Sequence, residues 1–128
     1  MKNLIFLITL TVSGQALAQP TLQQLSRSTL PAGIRYSGNI KNAVSWTDSS
    51  GHHIVVTTET GAYESRNDVS GGSDAELFAY HYIKSGDSLK LTWKLYDHIK
   101  DCPVDIVAAF VKNTFAVTDL DKNGQAEI

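Results

Sequence analysis

The sequence predicts a mainly β protein, an antiparallel sheet or small sandwich set behind an N-terminal leader. Runs such as HHIVVTTET, ELFAYHYI and LKLTWKLYD are rich in β-branched and aromatic residues, and turn-forming stretches such as DSSG and KSGDS separate them. No glycine-rich phosphate loop and no repeated strand–helix alternation is present, which argues against an α/β architecture. No internal repeat is visible.

The opening, MKNLIFLITLTVSGQALAQP, has three parts: a positive start at Lys2, an apolar stretch from Leu4 to Val12, and the small-x-small pattern Ala16-Leu17-Ala18. That order is the pattern of a secretory signal peptide over residues 1–18, with cleavage after Ala18 and Gln19 as the first mature residue. The apolar stretch is too short to cross a bilayer as a permanent helix. No cysteine stands at the cleavage point to take a lipid, and no second hydrophobic run follows to anchor the chain. The expected location is the periplasm or beyond it, without membrane insertion once the leader is gone. The rival reading is a buried N-terminal strand or helix.

With 11 basic and 13 acidic residues the chain is close to neutral, and it lacks the basic block that nucleic-acid binding requires. A lone cysteine, Cys102, is unusual for an exported protein. It is either free and buried, or paired with a cysteine in another chain. A third alternative is that the sequence is cut short, since it stops at AEI just as an apolar strand begins.

Residues 19–33 are expected to form an arm or a short helix. Leu22, Leu25 and Leu30 would line one side of such a helix, and Pro31 and Gly33 would end it. Residues 34–128 are expected to form a single β-rich domain. Ala43 to Thr47 and His52 to Thr60 read as a hairpin across DSSG. Glu64 to Asp74 is a surface loop by composition.

Glu76 to Ile83 and Leu89 to Asp97 read as a strand pair. In the second, Leu89, Leu91, Trp93 and Leu95 alternate with Lys90, Thr92, Lys94 and Tyr96, which predicts one dry and one wet face. Glu76 to Ile83 is apolar on both sides and is expected at the centre of the sheet. DIVAAFVKNTFAVTDL is expected to hold two strands broken near Lys112-Asn113; one long strand, or a helix from Val104 to Lys112, is the alternative.

The chain ends in DLDKNGQAEI. Asp119, Asp121 and Asn123 stand at alternate positions before Gly124, with Gln125 and Glu127 after it. Calcium takes six to eight oxygen ligands near about 2.4 Å, and alternate oxygen side chains converge on one point if the backbone curls. Gly124 permits the left-handed turn, the Gln125 carbonyl offers a further oxygen, and Glu127 closes the shell directly or through water. An EF-hand is excluded, because FAVT leads in as a strand and the twelfth-position Glu would fall past Ile128. The competing reading is a plain hairpin turn built on Asp121, Asn123 and Gly124. Such a turn has no use for Asp119 and Glu127, whose like charges an ion would relieve. The expected affinity is that of weak extracellular modules, a Kd on the order of 10⁻⁴ to 10⁻³ M.

The acidic loop resembles the calcium loops of FG-GAP and VCBS repeats, although Glu127 stands where Asp is usual. The segment from LKLTWKLYDHIKDCPVDI to FAVTDLDKNGQAEI resembles a poorly characterised family of small exported Gram-negative proteins, some labelled for surface polysaccharide biosynthesis. The resemblance implies a secreted β-rich domain whose Asp119, Asp121, Asn123, Gly124 and Glu127 form the loop. It also implies a second cysteine further on, with Cys102 as half of a disulfide.

Other candidates are sparse. His52 and His53 are neighbours in a strand and point to opposite faces, so they read as polar residues after a turn. His81 reads as a hydrogen-bonded, partly buried side chain. His98 and Cys102 would share a face only on a helix, and no further ligand lies close to complete a zinc shell. Glu59, Glu64, Asp74 and Glu76 are available acids without a pattern. No Gly-x-Ser-x-Gly elbow occurs. Tyr80, Tyr82, Trp93 and Tyr96 are candidates for surface binding that core packing is expected to claim first. The expected function is a non-enzymatic module binding an envelope glycan or protein, with a structural calcium. The alternatives are an enzyme acting on envelope glycans and an inhibitor or assembly partner of an envelope protein.

Overall fold

The computed structural model describes residues 19–60, 63–64, 73–100, 109–111 and 115–128. The expected leader (residues 1–18), most of the loop after Glu64, Cys102 and the expected break at Lys112-Asn113 lie outside them. The described residues are all-β and antiparallel: β1 (Gln23–Gln24), β2 (Asn39–Asp48), β3 (Gly51–Glu59), β4 (Tyr63–Glu64), β5 (Ser73–Ser85) and β6 (Ser88–Ile99). The sheet runs β1-β2-β3-β5, with β4 and β6 both pairing with β5. The two predicted hairpins are present, β2–β3 closing at Asp48 and Gly51 and β5–β6 at Ser85 and Ser88. β5 is central, as its apolar faces require.

Each face of the sheet is covered by irregular chain. On one, Ala43, Ile54, Val56, Phe78, Tyr80 and Tyr82 are buried beneath Leu25, Leu30, Ile34 and Tyr36 of the N-terminal arm. Two phenols fix the arm in register. Tyr82 Oη donates to the Arg35 carbonyl at 2.6 Å and accepts from Arg35 N at 3.1 Å, and Tyr80 Oη accepts from Ser37 N at 3.0 Å. Core packing thus claims Tyr80 and Tyr82. On the other face Val44, Trp46 and Val55 pack under Phe115, Val117 and Ala126. Burying each such side chain contributes about 1.5–3 kcal/mol.

Of the two alternatives for residues 19–33 the structure shows the arm: β1 pairs with Val44 and Ser45, and Ser26 to Leu30 makes one isolated turn. The leucines serve that arm, with Leu25 and Leu30 inward and Leu22 exposed. Asp74 belongs to β5 and is buried, because β4 pairs with it and extends the ladder.

The even alternation of β6 is broken. Tyr82 pairs with Leu91 and His81 with Trp93, so Thr92 is an extra residue in a β-bulge. The bulge reverses the phase, placing Leu89 and Leu91 on the Tyr82 face but Trp93 and Leu95 on the His81 face. The expected dry face does not form: Leu91 is 44% and Leu95 63% exposed. The described parts of the segment after Cys102 (109–111 and 115–117) form no strand. Their apolar side chains cover the sheet instead, Phe110 against Ala75 and Leu77, and Phe115 and Val117 against Trp46.

Gly38 marks where the arm enters β2. Its φ is +78°, and a Cβ there would meet the Glu59 carbonyl oxygen at 2.5 Å and its carbon at 2.7 Å. Gly38→Ala is therefore expected to cost about 2 kcal/mol, since backbone must yield to a side chain in a left-handed conformation. Urea denaturation measures it, and a midpoint matching wild type would refute the close approach.

Candidate metal centre and the buried histidine row

The C-terminal loop is closed by a single antiparallel bridge. Thr118 N donates to the Glu127 carbonyl at 3.0 Å, and Glu127 N to the Thr118 carbonyl at 2.8 Å. Between them the backbone curls tightly, with Lys122 at φ 60° and Gly124 at φ 86°. Lys122 holds a left-handed conformation that costs a non-glycine residue about 1–2 kcal/mol.

The acids organise the curl. Asp119 is buried; its Oδ1 accepts from Asn123 N at 3.0 Å and its Oδ2 from Gly124 N at 2.9 Å. Asp121 takes Asn123 N and Nδ2, Glu127 Oε2 takes Leu120 N at 2.8 Å, and Asn123 Oδ1 takes Gln125 N at 2.7 Å. One oxygen from each of Asp119, Asp121 and Glu127 lies within 4.8 Å of the others. Three carboxylates so close repel unless something positive sits between them, so the group is suited to hold a metal ion. Asn123 and Gln125 lie within the same curl, their side chains exposed.

The loop is tied to the β2–β3 turn. Ser49 donates to the Gly124 carbonyl through N at 3.0 Å and Oγ at 2.6 Å, and Ala126 N donates to Asp48 Oδ2 at 2.8 Å. Asp48, Ser49, Asp119, Gly124, Gln125, Ala126 and Pro20 line a cleft of about 260 Å³ at this junction.

Beneath the loop lies a feature that sequence reasoning missed. Trp46, His53, His81 and Trp93 form a row of rings across four strands, with successive centroids 4.8, 5.1 and 5.3 Å apart. His53, expected among exposed residues, is 5% exposed. The hairpin register turns it inward beside Trp46, while His52 on the opposite face meets the Thr47 hydroxyl.

Hydrogen bonds join the two imidazoles to each other and to their neighbours. Asp48 Oδ1 only accepts, so His53 Nε2, 3.0 Å away, carries hydrogen. His53 Nδ1 and His81 Nε2 lie 2.9 Å apart, and the Thr92 hydroxyl, which donates to the His81 carbonyl at 3.0 Å, lies 2.5 Å from His81 Nδ1. These contacts run in one line from Thr92 through His81 and His53 to Asp48. Burial, reinforced by His53 and opposed by Asp48, pushes His81 down to about 4. Burial alone would raise the Asp48 carboxyl; hydrogen bonds from Ser50, Ala126 N and His53 outweigh it and hold the group well below the usual carboxylate range.

Glu59 and Glu76 have separate partners. Glu59 is buried, pairs with Lys41 at 2.9 Å and accepts from Phe110 N. Glu76 accepts from Tyr96 Oη at 3.0 Å. His98 lies in β6, and Cys102 lies outside the described residues. Trp93 is half-buried against His81.

No family model, curated protein or solved structure matches this chain. Its chemistry is read from its own geometry.

Proposed function

We propose that this is a non-enzymatic exported domain whose C-terminal loop binds calcium as a structural clip, in a module that recognises a glycan or protein of the cell envelope. The observation that supports the ion is the meeting of Asp119, Asp121 and Glu127 oxygens within 4.8 Å. Each carboxylate oxygen has two lone pairs, so those now accepting an amide keep a second for a cation. The Gln125 carbonyl and Asn123 Oδ1 are the neutral oxygens to add. All-oxygen ligation by three carboxylates selects a hard divalent ion. Export is supported by the leader pattern over residues 1–18, and the envelope assignment by the family resemblance of the segment from Leu89 to Ile128.

The ion would hold in place the loop that Asp48 and Ser49 tie to the sheet, and through Phe115, Val117 and Ala126 the cover of Trp46. Calorimetric titration with calcium is expected to give heat at a Kd on the order of 10⁻⁴ to 10⁻³ M. Calcium at about ten times that Kd is expected to stabilise by about 1.4 kcal/mol, read as a rise in Tm. Asp119→Asn is expected to abolish both. Absence of heat and of any Tm rise at about 10 mM calcium would leave a hydrogen-bonded turn alone.

A further inference from the structure

The carboxamide of Gln19 is bonded to the same loop. Its Oε1 accepts from the Thr118 hydroxyl at 2.9 Å and, at longer range, from Asp119 N at 3.4 Å. Pro20, next in the chain, lines the cleft with Asp119 and Ala126, which fixes the direction in which the chain leaves. Thr118 is itself held on both backbone groups by Glu127.

We propose that Gln19 is a modification site: once the leader is removed, its α-amine closes on its own carboxamide to form pyroglutamate, assisted by Thr118 and Asp119 N. The inference rests on cleavage after Ala18 and is independent of whether the loop binds calcium. The neutral α-amine, which ordinarily titrates near about 8, attacks Cδ. The N–Cδ bond forms, the Cδ–Nε2 bond breaks, and the side-chain nitrogen leaves as ammonia with the proton that the amine gives up. No oxidant, reductant or co-reactant is consumed.

In the tetrahedral intermediate the negative charge collects on Oε1, the oxygen facing the Thr118 hydroxyl and the Asp119 N–H. Donors already aimed where charge develops lower the barrier without reorganising. The lactam keeps that oxygen as its carbonyl, so the terminus stays docked on the loop. It also loses its positive charge, leaving the three carboxylates more dependent on a bound cation.

Expressing the protein with its leader and measuring the exported form tests this. The expected species starts at residue 19, weighs one ammonia less than its sequence, and is blocked to stepwise N-terminal degradation. A free amine on Gln19 would overturn the proposal, and an exported chain beginning at another residue would overturn it together with cleavage after Ala18. For the assistance, a fusion cleaved in vitro to expose Gln19 is followed by ammonia release. Thr118→Val is expected to slow release by about tenfold or more. Urea-unfolded wild type, which lacks the contact whatever the variant's folding, is expected to be slowed likewise. Equal rates in folded and unfolded chains would refute the role of the loop.

Discussion

Asp48→Ala is expected to lower the stability of the protein by about 2–4 kcal/mol, measured by urea denaturation. One side chain, 6% exposed, serves three parts of the fold. It accepts from Ser50 N at 2.8 Å and from the Ser50 hydroxyl, which closes the β2–β3 turn. His53 Nε2 and Trp46 Nε1 also point to it, so its loss takes an acceptor from the buried Trp46 and leaves His53 Nε2 with the Ser50 hydroxyl. Finally it receives Ala126 N, so the C-terminal loop loses an anchor and Trp46 part of its cover. Near-ultraviolet circular dichroism should change with the Trp46 environment. Asp48→Asn keeps one acceptor and is expected to lose less. A cost under about 1 kcal/mol for Asp48→Ala would show that the carboxylate behaves as a surface group.

The second large effect is a loss of stability in acid. His81 has its folded pKa pushed down to about 4 from an ordinary 6.5. Between those values the unfolded chain binds a proton that the native protein refuses, so stability falls as the pH drops from 6.5 to 4 and then levels for this group. A shift of this size is on the order of 3 kcal/mol. Below pH 4 Asp48 takes over: its carboxyl is held below the usual range, so its contribution is present above the unfolded value and disappears as protons reach it. His81→Phe is expected to flatten the curve between pH 6.5 and 4, while leaving the steeper fall below it. An unchanged slope in that variant would place the acid sensitivity elsewhere.

Much of the sheet was legible because its signals are local. DSSG and KSGDS have the chemistry of tight turns, and the runs on either side have the composition of strands. Gly124 reads as the left-handed residue of the loop because Asn123-Gly124 is turn chemistry, and Asp119, Asp121 and Glu127 read as one group because their spacing is regular. Thr92 gave no warning of the bulge, since a strand's phase depends on the strand beside it and LKLTWKLYD alternates perfectly by itself. For the same reason the inward turn of His53 was hidden: two adjacent histidines show that one faces each way, but only pairing with Trp46 and His81 says which is buried. Val55 and Val56, apolar on both faces just downstream, were the available hint that β3 is covered on both sides.

By itself the amino-acid sequence determined the β class, the two hairpins and the acidic curl, because side-chain period and turn propensity act over a few residues and need no distant partner. Tertiary structure alone decided that the arm after Gln19 covers one face and the segment around Phe115 the other. It alone brought Asp48, His53, His81 and Thr92 into one hydrogen-bonded line beneath the loop. Those arrangements join residues far apart in the chain, and their energies come from burial and from partners that exist only once the sheet has formed.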